Sequence, residues 1–399
     1  MKFNTYYISE LIDEIAMGPF GSNIKVECFV DEGIPVLNGS NLNGFFLKEE
    51  SFRYVTEEKA NSLGRANAYR GDVVITHRGT LGQIVCIPET SKHDRYVISQ
   101  SQFRVRCNDK VLPEYLVYYF HTPIGQHKLL SNASQVGVPA LARASTTFQK
   151  IEVEIPDVDT QRKVVSILNS IENKININNA INENLQQQAQ AIFASEFLNR
   201  NDLPLGWSKS NLLGIADYLN GLAMQKFRPA ENEASYPVLK IKELRQGVCD
   251  ENSERCSTGI KPDYIIHDGD VIFSWSGSLL VDFWCGGTCG LNQHLFKVTS
   301  SNYDKWFYYA WTNHHLQRFI AIAADMATTM GHIKREELSK AEVIIPSTED
   351  YLRIGDLLRP IYDLIVANRL ENNKLTSLRN ELLPKLMNGE LDVTGVHYV

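Results

Sequence analysis

Five strings recur in the same order in the two halves of this 399-residue chain. PVLNGSNL at 35–42 returns as PVLKIKEL at 237–244, and GDVVITHRG at 71–79 returns as GDVIFSWSG at 269–277. SQSQFRV at 99–105 matches NQHLFKV at 292–298, the Tyr pair at 118–119 recurs at 308–309, and IEVEIP at 151–156 answers AEVIIP at 341–346. Loops of unequal length shift the offset along the way, but the order never changes. A tandem duplication of this kind obliges both copies to build the same elements in the same order.

Within each copy the local pattern reads as mixed α+β. After Gly71-Asp72 comes the β-rich run VVITH, then a turn at Gly79 and Gly82, then IVCI, a strand–turn–strand unit. A helix is expected from Pro113, with Tyr115, Leu116, Tyr119 and Phe120 at helical spacing; the second copy repeats it from Asp304 through Trp306, Phe307 and Ala310.

Each copy then ends in a long amphipathic helix whose apolar positions alternate by four and three. The first seam runs Val164, Leu168, Ile171, Ile175, Asn178, Asn182, Leu185, and the second runs Ile354, Leu358, Ile361, Ile365, Asn368, Asn372, Leu375. The stretch NKININNAINENL at 173–185 holds six asparagines, mediocre helix formers. Two of them fall on the seam in both copies, as expected if a buried amide layer fixes register and partner at some cost in stability. A helix of about 38 residues is roughly 57 Å long, so two such rods, packed antiparallel, are expected to hold two globular heads at a set distance. The boundaries read as 1–156 and 200–346 for the heads, 157–199 for the central spacer helix, and 347–399 for the C-terminal spacer helix and tail.

The bulk charge does not announce a nucleic-acid binder: the net is −7, and by segment it is +1 over 1–150, −4 over 151–199, −2 over 200–345 and −2 over 346–399. Any DNA affinity is therefore expected to rest on local patches or on partners that supply phosphate contacts. No stretch approaches eighteen apolar residues, and the first twenty lack an apolar core, so neither a membrane span nor an export signal is expected. Seven cysteines without framework spacing suit a reducing cytoplasm. Cys249, Cys256, Cys285 and Cys289 lack the CxxC knuckle of a zinc site and have no counterparts in the first copy.

Three features could touch DNA. The strand around Tyr96 to Arg106 alternates, with Val97, Phe103 and Val105 on one face and Gln100, Gln102, Arg104 and Arg106 on the other. Gln and Arg suit adenine and guanine edges in a major groove; a merely solvated sheet face is the alternative. Gln293 and Lys297 align with Gln100 and Arg104, while Leu295 stands at the Gln102 position. The turn THRGTLGQ offers His77, Arg78, Thr80 and Gln83, and its counterpart offers Ser274, Trp275, Ser276 and Ser278. The loop at 134–150 brings Arg143, matched at 327–340 by His332 and Lys334, side chains suited to phosphate or bases.

Catalytic signatures are sparse. There is no Pro-Pro dipeptide, which the motif of amino-methyltransferases requires, and no GxxxxGK phosphate loop. Pro156-Asp157 with Glu172 and Lys174 spells a PD…ExK nuclease pattern, but Glu172 and Lys174 lie mid-helix and point to different sides. A nuclease, or a coiled-coil adaptor that binds only protein, are the rival readings.

MGPFGSNIK followed by GIPVLNGSNL, GDVVITHRGTLGQ and QRKVVSILNSIENKININNAINENLQQQAQAIF resembles the DNA-specificity subunit of type I restriction-modification enzymes. LPLGWSKSNLLGIADYLNG at 203–221 is similar to the family's entry into its second half, and ELLPKLMNGEL at 381–391 to its close. The resemblance implies a non-catalytic chain of two target-recognition domains on antiparallel spacer helices, each reading half of a split, asymmetric site in double-stranded DNA. It implies two modification subunits docked on the helical seam, binding S-adenosylmethionine and methylating adenine, and, in complexes that include them, restriction subunits that use ATP and Mg. No cofactor is implied in this chain. Transferred position by position, the candidate readers are Asn38, Ser40, His77, Arg78, Gln100, Gln102, Arg104 and Arg143 in the first domain. In the second they are Lys240, Lys242, Trp275, Ser276, Gln293, Lys297, His332 and Lys334.

Overall fold

The structure, a computed structural model, describes residues 1–134, 137–200, 202–325 and 333–395. The chain forms two compact units, one of residues 1–173 with 377–399 and the other of residues 174–376. Their limits fall inside the two long helices, Val158–Phe193 and Thr348–Met387, so each unit contains a stretch of both.

The first unit is built on a four-stranded antiparallel sheet in the order Ile12–Met17, Gln102–Cys107, Val73–Thr76, Ile84–Cys86. Both of its faces are covered. Val73, Ile75, Ile84, Phe103 and Val105 pack against Tyr115, Leu116, Tyr118 and Phe120 of the helix Pro113–His121 and against Val164 and Leu168 of the first long helix. Val74 and Val85 pack on the other side with Leu37, Leu42, Ala68, Tyr96 and Ile98. That second layer includes a five-stranded sheet in the order Phe29–Val30, Arg53–Val55, Ile34–Val36, Arg95–Val97, Asn67–Tyr69.

Burial on both faces corrects the expected strand. The run from Tyr96 to Arg106 is two strands in two sheets, Arg95–Val97 and Gln102–Cys107. Gln102 and Arg104 of Gln102–Cys107 look into the second layer rather than into solvent, 1% and 3% exposed, while Arg106 at the strand's end is exposed. Arg104 pairs with Glu14 at 3.0 Å and with the fully buried Asp72 at 3.4 Å, and Asp72 also takes Arg106 at 2.9 Å. Asp72 accepts the Tyr69 N–H at 2.9 Å too, closing the turn in which Gly71 holds φ +79. The recurring Gly-Asp is therefore a turn latch: glycine supplies the left-handed backbone, and aspartate anchors both the turn and a cation from the neighbouring strand.

The second unit repeats the plan. Its four-stranded sheet runs Asp217–Asn220, Leu295–Thr299, Val271–Ser274, Leu280–Phe283, with Phe296 opposite Phe273 where the first unit places Phe103 opposite Ile75. Gly269 holds φ +81, and Asp270 accepts the His267 N–H at 3.0 Å and pairs with Lys297 at 3.0 Å. The helix Lys305–His314 covers one face with Trp306, Phe307 and Trp311.

In the second unit the long helices run antiparallel through two asparagine layers. Asn178 donates to Asn372 at 2.8 Å and to Glu371 at 2.7 Å, Asn368 donates to Asn182 at 2.9 Å, and Asn372 donates to Asn179 at 2.8 Å. All four seam asparagines are at most 9% exposed, and these bonds use their buried amide N–H groups, while Asn178 Oδ1 has no partner among the described residues. Ile365 is buried beside them, with Leu185 and Ile361 partly buried on the same core. Ile175 and Leu375 are half-buried. In the first unit Ile171 is 9% exposed, and Glu172 binds Arg379 at 2.6 Å, whose guanidinium lies 5.0 Å from the Phe45 ring centre.

Those contacts also dispose of the nuclease pattern. Asp157 caps the first long helix, accepting the N–H and hydroxyl of Thr160, each at 3.0 Å. Glu172 is held by Arg379, and Lys174 pairs with Glu371 at 3.1 Å. Among the described residues no group of three or more His, Cys, Asp or Glu is placed to hold a metal ion, and all seven cysteines are free thiols. No helix among the described residues is long and apolar enough to cross a membrane.

Candidate nucleic-acid interface

In the first unit, strand ends bring five segments together at one end of the central sheet. Gly18, just after Ile12–Met17, donates its N–H to Gln102 O at 2.8 Å. The turn after Val73–Thr76 carries His77, whose N–H donates to Ser101 O at 2.9 Å and whose Nε2 donates to Gln100 O at 3.2 Å. Leu141 N–H reaches His77 O, and Gly79 N–H reaches Pro139 O, each at 2.9 Å, which stitches the 137–143 loop to the same turn. Gln83 closes the set by donating to Gly39 O at 3.1 Å, beside Asn38 and Ser40.

Exposure at this end mixes polar and cationic side chains with the apolar Met17, Phe20 and Val138. Ser40, Arg78, Gln100 and Arg143 are exposed, and Asn38 and His77 are half-buried. Neither Arg78 nor Arg143 forms an ion pair among the described residues, which leaves both cations available to a polyanion. Arg143 also has a left-handed backbone, φ 49 and ψ 49, uncommon for a side chain of its size and the kind of local strain that clusters at binding sites. Burial holds the His77 pKa below the ordinary imidazole value, helped by nearby Arg78 and opposed by the Gln100 carbonyl. At neutral pH it is therefore a hydrogen-bonding group rather than a cation. Asn38 uses its Oδ1 to accept the Ser40 N–H at 2.8 Å and cap a short 3₁₀ turn.

The second unit builds the same end from other side chains. Gly221 N–H donates to Leu295 O at 3.0 Å, and Ile333 N–H reaches Trp275 O at 3.1 Å, as Leu141 reaches His77. Trp275 stacks on Phe296 at 5.6 Å and donates to Asn220 at 3.0 Å, whereas His77 lies 6.3 Å from Phe103. Gln225, Lys240, Lys242, Glu254, Gln293 and His294 line a groove of about 380 Å³ beside it. Lys240 pairs with Glu254, and Lys242 lies 3.5 Å from Asp250. Lys334 is exposed, Gln293 half-buried, and His332 lies outside the described residues.

Four candidates are absorbed by the framework. Gln102 and Arg104 sit between the two layers, and Gln102 Oε1 accepts the Ser99 N–H at 2.9 Å to hold the 99–101 turn. Lys297 reaches Asp270 and the Ile265 carbonyl, and Ser276 is 5% exposed beneath its turn. Sequence reasoning missed Gly18 and Gly221: a Cβ at either would stand 1.9 Å from Ser99 O or 2.2 Å from Asn292 O, so only glycine lets the first strand close on the turn that precedes the second strand of the sheet, at 99–101 and 292–294. Extending the self-comparison upstream of PVLNGSNL pairs these two glycines.

A family model described as Type I restriction modification DNA specificity domain matches this chain twice, over residues 23–187 and 204–378. The chain belongs to that family. The type I restriction enzyme MjaIX specificity subunit of Methanocaldococcus jannaschii is 24% identical over 96% of this chain and 92% of its own length. The HindI specificity subunit of Haemophilus influenzae is 22% identical over 75% of this chain and 82% of its own. In fold, the crystal structure of a type I S subunit from M. genitalium aligns with a TM-score of 0.61 at 12% identity, covering 97% of this chain and 96% of that one. As a specificity chain it supplies DNA recognition to a restriction-modification system and is not itself an enzyme.

Proposed function

We propose that each unit reads one half of a bipartite, asymmetric DNA site through the loop end described above, with a spacer between the halves left unread. The observation that carries this reading is the double occurrence of one loop end, in which Gly18 and Gly221 bond Gln102 O and Leu295 O and Leu141 and Ile333 bond His77 O and Trp275 O, while the side chains differ: His77, Arg78, Gln100 and Arg143 in one unit and Trp275, Gln293 and Lys334 in the other. Asn38, Ser40, Lys240 and Lys242 flank these readers. The recognition domains span 1–156 and 200–346, with 157–199 and 347–399 as spacer segments. In this reading the spacer helices dock two modification subunits that bind S-adenosylmethionine, ATP- and Mg-dependent restriction subunits join where present, and the complex works in the cytoplasm. The near-neutral charge of this chain fits a protein whose partners share the phosphate contacts.

Mapping methylated adenines in the host genome, with the gene intact and deleted, tests the proposal. The expected result is a single split motif, with half-site centres about one to one and a half helical turns apart at ~34–36 Å per turn, that vanishes on deletion. A motif that survives deletion, or tight sequence-specific binding by the purified chain without modification subunits, would overturn it.

A further inference from the structure

Phe20 is 81% exposed, more than any other aromatic among the large exposed apolar residues described. It lies in the segment 18–21 that closes on the 99–101 turn. Gly18 is bonded to Gln102 O, and a Cβ at Gly21 would stand 2.3 Å from Gln100 Oε1, so the Gln100 side chain lies against the backbone next to Phe20. The ring thus stands at the rim of a surface that exposes an amide, Gln100, two cations without ion pairs among the described residues, Arg78 and Arg143, and the apolar Met17 and Val138. Cations without counter-charges point to a polyanionic occupant rather than to an apolar protein face.

The corresponding position of the second unit differs. Counting from the paired glycines, Ala223 stands where the first unit has Phe20, and the adjacent Met224 is fully buried. The aromatic projection is therefore a property of one reading head and not of the shared framework.

Resting on the reading proposed above, we infer that Phe20 contacts the 5-methyl group of a thymine in, or at the border of, the half-site read by the first unit. In a major groove that methyl is the one apolar feature of a base edge, and a phenyl ring beside amide and guanidinium groups is the partner chemistry it calls for. Phe20 is then a specificity-determining residue that selects T over C at one position, while Gln100 and Arg78 address polar edges beside it.

The test uses the complete complex with its modification subunits and a duplex carrying the genomic bipartite motif, with each thymine of the first half-site replaced singly by deoxyuridine. Binding is measured for the wild type and Phe20→Ala. Because Phe20 is solvent-exposed, the variant should fold and assemble normally. The wild type should lose about four-fold in affinity at one position, the worth of one buried methyl. Phe20→Ala should bind the thymine duplex more weakly by a similar factor and be indifferent to deoxyuridine there. Purely additive effects at every position, an unchanged Phe20→Ala affinity, or loss of subunit assembly in Phe20→Ala would each overturn the inference. Failure of the wild-type complex to prefer the bipartite motif would instead sink the underlying reading, so the two failures are separable.

Discussion

The turn after Val73–Thr76 presents His77 and Arg78, and the turn after Val271–Ser274 presents Trp275, yet each accepts the same backbone bond from the neighbouring loop, at His77 O and Trp275 O. The latches beneath them show the same contrast. In the first unit Asp72 is fully buried and holds Arg104 and Arg106; in the second Asp270 holds Lys297, with side chains 18% and 15% exposed. The comparison teaches how one scaffold can carry two specificities. Backbone hydrogen bonds and glycine clearance hold the loop ends whatever side chains point outward, which leaves the outward residues free to diverge.

Breaking the latches should have the largest effect and an unequal one. Asp72→Asn removes one of the two carboxylates on buried Arg104, leaving Glu14, and should cost the first unit about 1–3 kcal/mol. Asp270→Asn should cost less, because the Lys297 ammonium can reach water along its flexible stem. Denaturant unfolding of the two variants measures the difference; equal losses would mean that the latches are not distinguished by burial.

The asparagine layers come next. Asn178→Leu alone leaves Asn372 short of a partner and should destabilise the second unit by about 1–3 kcal/mol. Asn178→Leu with Asn372→Leu should recover that loss or exceed the wild type, since an apolar layer replaces a buried polar one. Thermal unfolding reads both, and a double variant as unstable as the single would contradict the layer's polar character.

At the proposed reading ends, Arg78→Ala with Arg143→Ala removes two cations without ion pairs among the described residues and should weaken binding by the assembled complex on the order of ten-fold at low salt, with a shallower salt slope. Lys240→Ala with Lys242→Ala should do less, because Glu254 and Asp250 already neutralise those ammoniums. Titration of labelled duplex at several salt concentrations checks this, and equal slopes would erase the proposed asymmetry.

The smallest effect is shared by both units. Burial depresses the pKa of His121 and of His315, which are bonded to Ile84 O at 2.9 Å and Glu342 O at 2.8 Å. Below the ordinary imidazole value near pH 6.5, the unfolded chain takes up protons that the folded chain refuses. The stability these groups contribute is present above that pH and is lost as pH falls toward their folded values. Melting temperature should therefore drop modestly from pH 7.5 to 5.5, and less in a variant carrying His121→Asn and His315→Asn.

Much of this fold was legible in the residues themselves. Order-preserving duplication gave the repeated architecture, and the four-three spacing gave the long helices with their amide positions. The identity of the readers was less legible, for a physical reason. Alternation along Gln102–Cys107 tells which side chains share a face, but not whether a second sheet covers that face, so Gln102 and Arg104 read as solvent-facing when they are buried. The placement of His77, Arg78 and Arg143 in turns and loops was legible because glycine and loop chemistry act locally. Phe20 escaped notice because exposure of an apolar side chain leaves no trace in a periodic pattern.

The claim on which all of this depends is that the two loop ends act as separate readers. Sequencing of methylated adenines in a host carrying Arg78→Ala with Gln100→Ala tests it most directly. The account predicts a motif relaxed within one half-site, with the other half and the gap unchanged. Relaxation of both halves, a changed gap, or an intact motif would contradict it.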